Sequence, residues 1–239
     1  MTQDRPSPPL PATAGGDLKG PIILIASPVL LITWVYFGSN RFYLDHLSDL
    51  APSWVAPATG AACYMFLSCF VLLGLVPAVI VKLVFRERLA DYGVRLGNRL
   101  RTVRSFLLLA PAMLLVAWIA SRRPDVVAEY PLNRGAGGSA GTFGFHACTY
   151  MLFYLGWEFH FRGFMQHGLR DSVGATQAVL IQALASSLVH LGKPAAETYG
   201  ALLMGLVWGA LAFRTRSLLS GMLQHALLGI ALDFFICFA

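Results

Sequence analysis

The feature that most constrains this chain is the length of its apolar runs. Residues 57–83 extend for a full bilayer thickness with a single charged side chain, Lys82. A helix needs about 20 apolar residues to cross the hydrocarbon core. In lipid only helices and closed barrels satisfy their own backbone hydrogen bonds, and continuous apolar runs select the helix. Seven segments qualify or come close: roughly 21–38, 57–83, 105–121, 142–168, 173–191, 199–213 and 217–238. The third and sixth are short. The predicted fold class is all-α, a polytopic membrane helix bundle of about seven transmembrane helices. Composition agrees. Apolar residues make up 56% of the 239 and charged residues 13%, against about 25% charged in a soluble domain.

The net charge of +6 does not point to nucleic acid, and no nucleic-acid partner is expected. Lys82, Arg86, Arg88, Arg95, Arg99, Arg101 and Arg104 crowd one connection between apolar runs. Such clusters mark the cytoplasmic side of a membrane protein. With the N-terminus inside, Arg5, Lys19, Arg170, Arg214 and Arg216 join them. Only Arg41, Arg122, Arg123, Arg134 and Lys193 fall outside. The expectation is a multi-pass protein of the plasma (inner) membrane, N-terminus cytoplasmic and C-terminus outside, with the lipid bilayer as its constant partner.

Residues 1–20 are rich in Pro, Gly, Ser and Thr. They lack a basic region followed directly by an apolar one, so they do not read as a standard signal peptide. They read as a disordered cytoplasmic tail. Residues 21–121 would form three helices with the basic cytoplasmic loop, and 142–238 a core of four. The connection 84–105 has periodic Leu89, Val94, Leu96, Leu100 and Val103. It reads equally as an interfacial helix or a solvated linker. The connection 121–141, broken by Pro and Gly, reads as a loop. Cys63, Cys69, Cys148 and Cys237 lie in apolar runs without a CxxC pair. They are expected to be small buried side chains, neither redox pairs nor zinc ligands.

Ionisable residues inside spanning helices are costly and usually face a bundle interior or a wet cavity. Here they are Glu158, His160, Arg162, His190, His225 and Asp233, with Glu197 just before the sixth run. Glu158 and Arg162 stand at i, i+4 and share a helix face. His160 lies two residues from each, about 200° around the helix from Glu158, and is expected to face elsewhere. A turn near Asp171–Gly174 places Glu158 and His190 at similar depths on antiparallel helices. By the same count His225 meets them only if that turn protrudes or the last helix starts deeper. His225 and Asp233, two turns apart, could line one cavity at different depths. An HExxH motif is absent, as are helix-spaced histidine pairs. No cofactor is expected, and a catalytic metal is disfavoured.

The stretch Glu158-Phe-His-Phe-Arg162-Gly163-Phe164 resembles the EExxxR-type first motif of the CPBP family, the CAAX-processing and bacteriocin-processing membrane proteases also called Abi proteins. His190-Leu-Gly-Lys-Pro-Ala-Ala-Glu197 resembles its second motif. Gly205-x3-Gly209 through Ser217 resembles the approach to the last motif, whose histidine is matched by His225. The resemblance covers about residues 142–238. It implies a glutamate-type intramembrane endopeptidase acting on a membrane-anchored protein or peptide precursor. Glu158 would be the base that activates water and Arg162 its partner. His190 and His225 would polarise carbonyl and water, with Glu197 and Asp233 in support.

The sequence also departs from that pattern. Trp157 stands where the family has its first glutamate. Ser186 replaces a phenylalanine four residues before the second-motif histidine. Gly229 replaces the Asn or Asp four residues after the last one, a residue thought to support the oxyanion, and Asp233 is the nearest substitute. These departures keep a second reading open, a non-catalytic immunity or scaffold protein of the same fold. A proton-coupled transporter is a third, without the inverted repeat such proteins usually show.

Overall fold

The computed structural model describes residues 18–239, and most of the expected tail lies outside them. Among the described residues the chain is helical and has no strand. Seven principal helices follow the apolar runs. They are α1 (Lys19–Phe37), α2 (Pro57–Val84), α3 (Arg99–Ala120), α4 (140–173), α5 (Ala175–Leu188), α6 (Ala195–Thr215) and α7 (Leu219–Phe238). Five of these, α1, α2, α3, α6 and α7, are long and apolar enough to cross a membrane by length and composition. The 14-residue α5 is shorter, and α4 carries the buried charges. The chain is therefore a multi-pass membrane helix bundle in which five spans, not seven, meet that criterion.

The outward faces are what lipid requires. Leu107, Leu108 and Leu115 of α3 are 65%, 78% and 57% exposed, and only 11% of that span is buried. α7 packs along α3, α6 along α5, and α2 along α4. The α2–α4 contact is close because Gly74 and Gly156 face each other. A Cβ built on Gly156 would lie 2.6 Å from the Cys69 carbonyl oxygen and 2.8 Å from Phe70 Cα. Small residues admit such backbone approach, on which helix association in lipid depends. Phe66, Tyr150, Phe153 and Trp157 fill the space beside this contact, Phe66 stacked on Tyr150 and Phe153 on Trp157, with Tyr150 tilted against Phe153.

Three stretches are π-helical: Phe70–Leu75, Ile80–Val84 and Phe159–His167. The last follows Glu158 directly. π-Bulges are rare and often mark functional sites. Gly174, with φ +88°, separates α4 from α5 where the turn was expected.

The connection 84–105 combines an exposed stretch, 94–98, with an anchored one, and from Arg99 it already belongs to α3. A short 3-10 turn, Leu89–Tyr92, buries Tyr92 to 1% exposure. The segment is then tied to the α6–α7 corner. Leu218 N donates to Gly93 O at 3.0 Å, Asn98 N to Thr215 O at 2.8 Å, and Arg95 Nε to Arg216 O at 2.9 Å. Val94 and Leu96 stay exposed. The connection 121–141 is less irregular than expected, since Pro124–Glu129 forms a helix. Of the cysteines only Cys69 is buried. Cys63 and Cys237 are half-buried and Cys148 is exposed on an apolar helix face, a correction to the expectation of four buried side chains.

Candidate active site

Glu158 ends the α-helical part of α4 and is 1% exposed. Its Oε1 accepts a hydrogen bond from His225 Nδ1 at 2.9 Å and lies 3.3 Å from an Arg162 guanidinium nitrogen. A carboxylate only accepts, so Nδ1 carries the proton and neutral His225 keeps Nε2 as an acceptor. Oε2 is buried without a hydrogen-bond partner. Arg162 is also 1% exposed, and its guanidinium sits 5.6 Å from the Trp208 ring centre. An unpaired charge at this depth would be expensive, and mutual neutralisation lets both be buried.

This group separates two cavities. Cavity A, about 430 Å³, is walled by apolar residues of α2, α4 and α7 and by the 89–96 connection, and Glu158 is on its wall. Cavity B, about 400 Å³, lies on the other side. Tyr154, Trp157, Arg162, His190, Glu197 and His225 line it, with Tyr130 and Lys193 nearer the connections. Glu158 lines A but not B, so His225 stands between the carboxylate and cavity B.

His225 reaches Glu158 although simple helix counting made that contact the weakest. α4 continues through Val173, well beyond the level at which α7 begins, so the α4–α5 turn protrudes. His190 joins cavity B at a compatible depth but touches Trp157 instead of Glu158. Their rings are 5.4 Å apart and edge to face. His190 Nδ1 donates to Ser186 O at 2.7 Å, so its neutral form also presents Nε2 as an acceptor. Trp157, in the place of the family's first glutamate, is 3% exposed and packed among Trp34, Phe153 and Phe161. His160 is fully buried against Phe161 and Phe164 with neither ring nitrogen bonded. It faces away from Glu158, as its spacing indicated.

Glu197 sits in cavity B and accepts the Tyr130 hydroxyl at 2.6 Å. Asp233 does not line this cavity. It is fully buried, and its Oδ2 accepts from His146 Nε2 at 2.7 Å. The reason is rotational drift: eight residues after His225, Asp233 has turned toward the start of α4, where His146 waits. His146 escaped the sequence reading, although it stands three four-residue steps before Glu158 on the same helix.

The His146–Asp233 contact ties α7 to α4 two turns from His225. Interhelical hydrogen bonds in lipid contribute about 0.6 kcal/mol on average and up to about 1.7. Full burial places this pair at the upper end. Asp233→Leu is expected to lower stability in detergent by about 1–2 kcal/mol, read from thermal unfolding. The double variant His146→Leu/Asp233→Leu should lose less than the sum of the single variants, because each single change strands a buried polar partner.

Among the described residues, no group of three or more His, Cys, Asp and Glu side chains could hold a metal ion. Of these residue types, Glu158 and His225 touch at the site.

Residues 139–231 match a protein-family model described as type II CAAX prenyl endopeptidase Rce1-like. Nothing matches among curated proteins or among solved structures. The matched segment contains Glu158, Arg162, His190, Glu197 and His225, and Asp233 falls just outside it. The CPBP resemblance holds over this segment, which comprises α4 to α6 and most of α7.

Proposed function

We propose that this chain, Rce1-like from residue 139 to 231, is an intramembrane endopeptidase that cleaves a membrane-anchored protein or peptide precursor. The observation that carries the reading is the buried Glu158–His225 pair, whose imidazole lines a cavity that Arg162, His190 and Glu197 also line. A carboxylate on Nδ1 fixes the imidazole tautomer and stabilises the imidazolium that forms when Nε2 takes a proton.

In this reading a peptide carbonyl and a water enter cavity B. The water oxygen attacks the carbonyl carbon, and its proton passes to His225 Nε2. Glu158 supports the new positive charge. The carbonyl oxygen becomes an oxyanion within reach of the Arg162 charge. Collapse of the tetrahedral intermediate breaks the C–N bond, and the Nε2 proton goes to the leaving nitrogen. The net change is addition of one water across the peptide bond, and His225 returns to neutral. Glu158 is thus the group that empowers the base, with His225 as the immediate proton acceptor. His190 Nε2, an acceptor, would hold the water. Glu197, on the Tyr130 hydroxyl, would shape the cavity mouth. Cavity A, with its apolar wall, would receive an apolar part of the substrate.

The excess of Lys and Arg in the 82–104 connection supports a cytoplasmic N-terminus and the plasma (inner) membrane as the location. Cavity B then communicates with the outer connections.

Comparative proteomics of membrane-protein termini tests the function. Cells carrying wild type should yield new termini that are missing with Glu158→Gln at equal protein levels. Identical terminal profiles would favour the non-catalytic reading.

A further inference from the structure

We propose that Tyr154 is a catalytic hydrogen-bond donor in cavity B, its phenolic O–H binding the carbonyl oxygen of the scissile peptide in space that Gly229 leaves open. The inference rests on the protease reading above and deepens it.

The need for a donor follows from the hydrogen bonds already described. His225 Nδ1 is committed to Glu158 and His190 Nδ1 to Ser186 O. Both neutral imidazoles therefore offer only acceptors to the cavity. Tyr130 gives its proton to Glu197, and Trp208 Nε1 donates to Gln224 at 3.0 Å. A carbonyl oxygen gaining negative charge needs N–H or O–H donors aimed at it. Arg162 supplies charge, but it is engaged with Glu158. Trp157 Nε1 also lines the cavity without a hydrogen-bond partner, but its ring packs on His190; the side of the cavity beside His225 still needs a neutral donor.

Tyr154 supplies it by position. It precedes Glu158 by four residues on α4 and so shares its helix face. The side chain is 1% exposed, and it lines cavity B. Its ring centre is 4.8 Å from that of His225. Its hydroxyl reaches across to α7 at Gly229, one turn beyond His225. A Cβ built on Gly229 would collide with that hydroxyl oxygen and lie 3.1 Å from Tyr154 Cζ. The phenol thus occupies the room that a side chain at 229 would take. A glycine on α7 and a tyrosine on α4 exchange places as the source of a polar group one turn past His225. Tyr154 keeps its proton throughout the cycle, donating a hydrogen bond without transferring the proton.

The test uses the purified full-length chain in detergent and an internally quenched peptide that spans a Glu158-dependent cut site. Tyr154→Phe is expected to lower kcat about 100-fold with KM unchanged, the effect of losing one donor to the oxyanion. Tyr154→Leu should be at least as slow. Tyr154→Leu/Gly229→Asn, which offers an amide donor from α7 in the emptied space, should recover kcat at least about 10-fold over Tyr154→Leu. Unchanged kcat in Tyr154→Phe would overturn the proposal while leaving the protease reading intact. A loss confined to KM would do the same, since it would show binding or packing alone. Equal cleavage by wild type and Glu158→Gln would instead overturn the protease reading, and this proposal with it.

Discussion

Gly156→Val should fail to fold stably, losing about 3 kcal/mol or more. A Cβ at this position meets three backbone atoms of one peptide unit of α2: the Cys69 carbonyl oxygen at 2.6 Å, Phe70 Cα at 2.8 Å and the Cys69 carbonyl carbon at 3.0 Å. A side chain can swing away from a clash, but a helix backbone cannot do so without moving the whole helix. Overpacking against movable side chains costs about 1–3 kcal/mol, and a clash with backbone belongs at or above that range. For a chain of this length the loss corresponds to a fall of about 10 °C in Tm. Gly144→Val is the matched control on the same helix. A Cβ there meets nothing within 4 Å, and its Tm should stay close to wild type. The effect should reach the site as well, because Gly156 is two residues from Glu158 and a shift of α4 away from α2 moves both.

Glu158→Gln should reduce cleavage about 10²–10⁴-fold, the contribution expected of acid–base machinery. The substitution keeps the shape of the side chain and an oxygen able to accept from His225 Nδ1. It removes the charge that stabilises the imidazolium and leaves Arg162 without its anion. At about 1.4 kcal/mol per tenfold, the loss corresponds to roughly 3–5 kcal/mol of barrier. Glu158→Asp retains charge but withdraws the carboxylate by one methylene from a 2.9 Å contact. It should fall between wild type and Glu158→Gln. A graded series of this kind separates charge from shape in kcat, read with thermal unfolding to show that each variant stays folded.

Much of this architecture was legible because lipid makes hydropathy decisive. Each of the seven apolar runs holds a helix, and the break at Gly174 falls where Asp171–Gly174 signalled a turn. The i, i+4 spacing of Glu158 and Arg162 revealed a pair that the fold brings to 3.3 Å. What escaped was the part that depends on contacts between distant segments. The π-helical Phe159–His167 has no compositional signature, since i to i+5 bonding is a backbone choice imposed by packing. The 84–105 connection shows periodic Leu and Val, yet its anchor is Tyr92 and its partners are carbonyls of the α6–α7 corner. Helix periodicity puts Asp233 and His225 on similar faces two turns apart, but the partner of Asp233, His146, comes from the far end of α4. One signal went unused. His146, Tyr150, Tyr154, Glu158 and Arg162 recur every four residues, a polar line winding slowly about α4 that is expensive in lipid unless it faces cavities or polar partners. That line gives the site and its supports together.

The most direct test of the central claim is hydrolysis by the purified chain in lipid vesicles, wild type beside Glu158→Gln. Mass spectrometry would follow a membrane-anchored peptide chosen from the Glu158-dependent termini. The account expects two products from wild type whose summed mass exceeds the substrate by one water, and almost none from Glu158→Gln. Equal product from both proteins, or none from a folded wild type, would contradict it.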